Sequence, residues 1–220
     1  MPLASGPSSL CSSAAPQGGL QTPLTIDPAE LARHGLVLEE DLAEVTTYSV
    51  GQVRAAGLVA SYWGTQRLTP DNRGAAVYGG SDLVVARGGF DALLGSPTPE
   101  AARLAVAQAR AYDAAAAACF PGLVVSRRNY DVAQGLDAAG RPRSGVLEQS
   151  WRVGGASGAE IAALEAFRPD PALRVVRAST REVYGDSAAP PPHAAVYYRG
   201  TDEQVGPLAK YALVEPRADA

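Results

Sequence analysis

The sequence predicts an α+β fold built on a mostly antiparallel sheet with packed helices. Three observations carry that reading. Apolar runs of strand length come in pairs separated by a few turn residues, which is the pattern of hairpins. Two helical patterns, over 98–120 and 157–167, stand between the hairpins instead of following every strand. The hydrophobic content, 46% of 220 residues, is enough for one sizeable core.

The elements follow in order. Residues 1–23 are rich in Ser, Ala, Gly and Pro without apolar period, and read as a disordered leader. The folded domain is expected over 24–216. Asp27 and Pro28 form an N-cap with proline at the first helical position, and Gly35 closes a helix ending at His34. Residues 36–38 read as a short buried strand running into Glu39, Glu40, Asp41 and Leu42. Residues 46–53 and 58–66 form a hairpin around Ala55, Ala56 and Gly57. The polar stretch 67–80, with Pro70, Asp71, Asn72 and three glycines, reads as a long loop before a short strand at 83–86. Thr98, Pro99 and Glu100 open the longest helix, which Pro121 and Gly122 stop. Two strands follow, at 129–135 and 145–150, and then Ser157 and Glu160 form a capping box for a helix ending near Phe167. A helix-strand passage over 171–184, a proline-rich loop at 190–192 and a last strand at 196–199 complete the chain, with no internal repeat.

Several function classes are excluded. The net charge is −4 and no basic stripe is visible, so neither nucleic acid nor an anionic membrane is expected as a partner. No apolar run has the length of a membrane span, and the N-terminus lacks the basic and apolar regions of a secretory signal, so cytoplasm is the expected compartment. Cys11 and Cys119 are too few for a disulfide framework or a zinc site, and Cys119 reads as a small core residue. The phosphate-loop pattern is absent around Lys210, and the run from Gly79 to Leu83 lacks the closing glycine of a nucleophile elbow. His34 and His193 fall at a helix end and in a proline-rich loop, each without an evident partner.

The residues that carry chemistry lie on the hairpin of Asp131 and Glu148. If its turn is centred on Ala139 and Gly140, the two acids lie opposite each other on adjacent strands. Glu148, Ser150 and Arg152 then project from one face. Opposed carboxylates repel unless a cation or proton lies between them, and a hard cation such as Mg²⁺ takes oxygen ligands while leaving positions for phosphates. Arg152 would be a fork-shaped phosphate donor. The alternative is that both acids are ordinary solvent-face residues. The glycine-rich run 154–158 then enters a helix, where it either presents backbone N–H groups to an anion or is a tight turn. Arg67, at the end of the first hairpin, either reaches a bound phosphate or carboxylate or is a solvated loop-end arginine, and the pair Arg127 and Arg128 carries the same two readings. Trp63 and Trp151 read as packing residues, with Trp151 facing away from the acids.

The order Tyr130-Asp131-Val132, a variable turn, then Glu148-Gln149-Ser150-Trp151-Arg152-Val153-Gly154-Gly155 resembles the closing motif of ATP-grasp enzymes. There an acid on one strand is followed by Glu-x-Asn-x-Arg on the next. The resemblance implies metal roles for Asp131 and Glu148, a phosphate-contacting catalytic role for Arg152, and a weaker hydroxyl ligand at Ser150, where Asn is usual. The stretch 37–42 resembles the superfamily's adenine-binding hinge, which implies that Glu39, Glu40 and Leu42 contact nucleotide. ATP and Mg²⁺ are the cofactors so implied, and a small-molecule carboxylate, activated as an acyl phosphate, is the implied substrate. The stretch from 36 to 216 is also similar to a proteobacterial family of unknown function often labelled biotin carboxylase-like, through Thr47-Tyr48-Ser49-Val50-Gly51-Gln52-Val53 and Tyr78-Gly79-Gly80-Ser81-Asp82-Leu83.

In the superfamily a separate lobe supplies a lysine over the phosphates. Of the 19 basic residues here only Lys210 is a lysine, so the chain is expected to be the C-terminal lobe, incomplete and inactive alone. Its exposed hinge face would favour a homodimer. The competing expectations are a non-catalytic nucleotide-binding or interaction remnant and a plain α+β domain.

Overall fold

The computed structural model describes residues 27–36, 39–185 and 189–216. The chain divides into two units at Glu39 and Glu40. In the first, α1 (Pro28–His34) has the expected caps: the Asp27 carboxylate accepts from the Ala29 N–H at 2.8 Å, and Gly35 turns the chain with a φ of 73°. The leader falls outside the described residues, as do Val37 and Leu38 of the expected strand; Leu36 is in no strand and is 51% exposed.

The second unit is an eight-stranded sheet. Its strands are β1 (Ala43–Ala55), β2 (Leu58–Pro70), β3 (Ala76–Arg87), β4 (Arg127–Leu136), β5 (Pro142–Ser150), β6 (Val175–Tyr184), β7 (Ala195–Asp202) and β8 (Gly206–Pro216). Their order is β5-β4-β1-β2-β3-β6-β8-β7, and every neighbouring pair is antiparallel. The α+β class with an antiparallel sheet is therefore the one the chain adopts. The helices are α2 (Phe90–Leu94), α3 (Glu100–Cys119) and α4 (Ser157–Phe167). Among the described residues no helix is long and apolar enough to cross a membrane.

Alternation along the strands feeds two cores. Val53, Ala60, Tyr62, Val85 and Val176 pack against Ala159, Ala163 and Phe167 of α4. Val50, Ala86, Tyr130 and Val132 point the other way, onto Phe90 and Leu93 of α2 and Ala105, Val106 and Ala109 of α3. Helix α3 lies against β1, β4 and β5, whereas α4 lies against β2, β3, β6 and β8. Each face of the sheet thus has one half under a helix and one half open.

Four expectations are corrected. The stretch 67–80 is not one long loop: β2 and β3 stay paired to Pro70 and Ala76, with a bulge at Arg67/Leu68, and only 71–75 turns. Gly74 lies in that turn at a φ of 80°, whereas Gly79 and Gly80 mark close strand approach, since a Cβ on Gly80 would collide with the Thr180 carbonyl. Residues 171–174 form a turn rather than a helix, and a further strand, β8, follows β7. Cys119 is exposed, because α3 buries only Ala102, Ala105, Val106 and Ala109 near its start. The first hairpin is as expected, with Ala56 and Gly57 at φ of 50° and 77°, the conformation of a two-residue turn matched to strand twist.

Gly51 is the tightest joint in β1. A Cβ there would run into the Arg128 carbonyl and the ring of fully buried Tyr62. Gly51→Ala is expected to lower stability by about 1–3 kcal/mol, the scale of an overpacked core, read as a reduced midpoint in urea denaturation.

Candidate functional site

The β4–β5 hairpin places Asp131 opposite Glu148 and Asn129 opposite Ser150. The expected register is present, but it has a different origin. Near the turn Leu136 faces Pro142, and further along Val132 faces Val146. Continued unbroken, that register would set Asp131 against Leu147. A bulge at Leu147 adds one residue to β5 and restores the pairing of the two acids. The turn is built on Asp137, whose Oδ1 accepts from the backbone N–H groups of Ala139 and Arg141, each at 2.9 Å, and whose Oδ2 accepts from the Arg141 and Arg143 guanidinium groups. The Arg141 N–H, with these other donors, holds the Asp137 carboxyl below its ordinary value.

Both acids lie on the α4 side of the sheet, over the half that α4 leaves open. Ser49 Oγ donates to Asp131 Oδ1 at 2.8 Å, and Asn129 Nδ2 donates to the same oxygen at 3.1 Å. Among the described residues nothing bonds Asp131 Oδ2, and Glu148 is exposed with no hydrogen bond or ion pair. A carboxylate with one oxygen anchored and one open, beside an unpaired carboxylate, is suited to receive a cation. Among the described residues no group of three or more His, Cys, Asp or Glu converges as metal ligands. Any ion here would rest on two carboxylates, hydroxyl groups and oxygens from outside the chain.

Behind the acids lies a buried network that the sequence did not announce. Glu160 is 1% exposed and makes no capping box; Ala156 is the N-cap, and Ser157 Oγ accepts from the Gly154 N–H at 3.0 Å. The Glu160 carboxylate instead takes Arg127 Nε at 3.1 and 3.0 Å and Nη2 at 2.9 Å. It also accepts from the Tyr62 hydroxyl at 2.6 Å, and that hydroxyl lies 2.9 Å from Asn129 Oδ1. The capping pattern loses because an acid buried beside an arginine gains more from that charge than from a backbone N–H. Arg127 Nη1 continues to the Ser150 carbonyl at 3.3 Å, the Ser150 Oγ at 3.4 Å and the Arg152 carbonyl. Neither of the two adjacent arginines is solvated, since Arg128 pairs with Asp113 at 3.1 Å.

The remaining expected residues divide. Arg152 lies just past β5, exposed, with Nη1 on the Val153 carbonyl at 3.1 Å. Trp151 faces away as expected, its Nε1 donating to the Tyr130 hydroxyl at 3.2 Å. Glu40 is 3.5 Å from Arg143, which also faces the α4 side, five residues along β5 from Glu148 or roughly 16 Å. Leu42 packs near Gly135 at the same end, and Glu39 is exposed outside regular structure. Between the two ends Gly145 has nothing within 4 Å of where a side chain would start, so the strip along β5 is open. Arg67 does not join them. It lies on the opposite face, paired with Asp82 at 3.2 Å, which Arg181 also holds at 2.8 Å.

Fold and site together define an α+β protein whose antiparallel sheet carries a pair of carboxylates on a bulged hairpin, next to a glycine turn that enters a helix. The chain matches, over residues 15–212, the model of a family described as a protein of unknown function, DUF3182, and belongs to that family. No curated protein and no solved structure matches it.

Burial first, and then the neighbouring Glu160 carboxylate, hold the Tyr62 phenol well above the ordinary tyrosine value of 10.0. Below that value the phenol is protonated in both states and its contribution is complete. As pH rises past it, the unfolded chain ionises first and stability falls. Tyr62→Phe is expected to flatten this alkaline slope in melting curves. Glu160→Ala leaves Arg127 buried without its counter-charge and is expected to cost about 3–5 kcal/mol in chemical denaturation.

Proposed function

We propose that this chain binds ATP with Mg²⁺ in the manner of an ATP-grasp domain, as part of a carboxylate-activating ligase that works through an acyl phosphate. The observation that carries the reading is the opposition of Asp131 and Glu148 on an open face, with one Asp131 oxygen anchored by Ser49 and Asn129. Mg²⁺ takes one or two carboxylates and keeps its other positions for water and phosphate, which is the donor set available here. Asp131 and Glu148 would hold the ion, with Ser150 as the third oxygen. When bound, Mg²⁺ would neutralise the phosphates and orient them. The chain's own part is positional. Arg127 fixes the carbonyls of Ser150 and Arg152, and so sets where the Arg152 guanidinium emerges beside Gly154. The open strip along β5 would let a nucleotide lie with its base toward Glu40 and Leu42 and its phosphates toward Glu148. The resemblance of the Glu148 to Gly155 motif to the superfamily's closing motif supports the same assignment.

A second reading, a nucleotide-binding module without turnover, is favoured by one placement: Arg67 lies across the sheet from the acids and is paired with Asp82. On this reading Arg152 is the cation nearest the phosphates, too few for phosphoryl transfer by the chain itself.

Calorimetric titration of the folded protein with ATP separates these. Saturable heat is expected with Mg²⁺ and not with EDTA, and Glu148→Ala is expected to weaken binding by about tenfold or more, the worth of one charged contact. A folded chain that shows no metal-dependent binding sinks both nucleotide readings. ADP release under saturating Mg²⁺ and ATP, assayed with carboxylate pools, distinguishes the ligase from the silent module.

A further inference from the structure

We infer that the cavity between α4 and the β6–β8–β7 end of the sheet is a second binding site, taking a small zwitterion with an apolar body such as an α-amino acid with an aliphatic side chain. The cavity measures about 600 Å³, a volume suited to one small molecule. Gly155, Ile161, Val196 and Tyr197 form its mostly apolar walls, the solvent-exposed Glu165 of α4 also lines it, and Glu182 and Lys210 are set into it from the sheet.

The charges decide the ligand. Glu182 and Lys210 oppose each other across β6 and β8, with Nζ and Oε2 2.9 Å apart. The side chains are only 13% and 34% exposed, so both are partly withdrawn from water. An ammonium has three donors and a carboxylate two oxygens. Their mutual contact uses one of each, and among the described residues no other hydrogen bond engages either group. The pair therefore presents a fixed dipole to the cavity. A zwitterion laid antiparallel against it places its carboxylate on Lys210 and its ammonium on Glu182, satisfying all four charges at once. A simple amine or a simple acid satisfies half and leaves the other half facing apolar walls. Desolvation first, and then the Glu182 carboxylate, push the Tyr197 phenol up to about 12. Val153 and Ala162 complete the apolar lining that would receive the ligand's side chain.

This site is separate from the proposed nucleotide site. None of Asp131, Glu148, Ser150 and Arg152 lines it, and its occupation requires neither metal nor ATP.

The test is calorimetry on the full chain without Mg²⁺ or nucleotide, using L-leucine, L-methionine and L-phenylalanine, and two single-charge analogues of leucine, isopentylamine and 4-methylpentanoate. At least one amino acid is expected to give saturable heat, with both single-charge analogues weaker by about tenfold or more. Lys210→Met is expected to weaken the amino acid to a similar degree. Ile161 is 54% exposed and lines the cavity, so Ile161→Arg fills the cavity from its surface without opening the core, and it is expected to abolish binding while circular dichroism stays unchanged. If Lys210→Met fails to fold, Ile161→Arg alone decides. Absence of saturable heat with all three amino acids overturns the inference. So does binding of a single-charge analogue as tight as leucine, or undiminished binding by Ile161→Arg. Titration of the same variants with ATP and Mg²⁺ reports on the nucleotide site independently, so either assignment can fail while the other stands.

Discussion

The buried pair of Arg127 and Glu160 is the constraint around which the rest of the second unit is arranged. Two charges taken out of water are tolerated only where the remaining donors and acceptors are also met. Burial, the largest single influence, would lower the pKa of Arg127, and its hydrogen bonds to Glu160 together with the other effects of Tyr62 and Glu160 outweigh that and leave it raised. The guanidinium spends its N–H groups on the Glu160 carboxylate and on the carbonyls of Ser150 and Arg152. One side chain thereby ties the start of β4, the end of β5 and the first turn of α4 to a single point. Tyr62 and Asn129 complete the network, and Asn129 passes its order to Asp131 through its amide.

That tie has consequences along the chain. Tyr62 must cross β1 to reach Glu160, which is why Gly51 has no room for a side chain. The glycines after Arg152 let the backbone double back under the helix: a Cβ on Gly155 would collide with the Tyr78 ring, and one on Gly154 would touch both guanidinium groups. The entrance to α4 is thus a close-packed seam between two open regions. On one side lie the paired acids of the β4–β5 hairpin, and on the other lies the cavity floored by Glu182 and Lys210. The acids are open because α4 covers only the β2, β3, β6 and β8 part of their face, whereas the cavity lies against α4 itself.

Much of the fold was legible locally. Both caps of α1, the bounds of α3 and the first hairpin follow from turn and cap residues whose effects span a few positions. The pairing of Asp131 with Glu148 was also legible, although the bulge at Leu147 that produces it was not. The stretch 67–80 was misread because its glycines are turn residues by habit; here Gly79 and Gly80 let β3 lie close against Thr69 and Thr180. Glu160 was misread because Ser-x-x-Glu satisfies a local rule, whereas its partner Arg127 stands 33 residues earlier in the chain. The signal available was Arg127 itself, an arginine alternating with Asn129 and Asp131 on what becomes one face of β4.

By itself, then, the sequence determined the caps of α1, the bounds of α3, the first hairpin, the antiparallel character of the sheet, and the presence of two acids on facing strands. These depend on side-chain period, turn chemistry and helix caps, which act over a turn or a hairpin. Only the tertiary structure decided which face each residue joins, that Arg67 stands across the sheet from the acids, and that Glu160 belongs to Arg127. The reason is desolvation: whether a charge can be buried, and where, depends on groups brought from distant parts of the chain, and no local pattern records them.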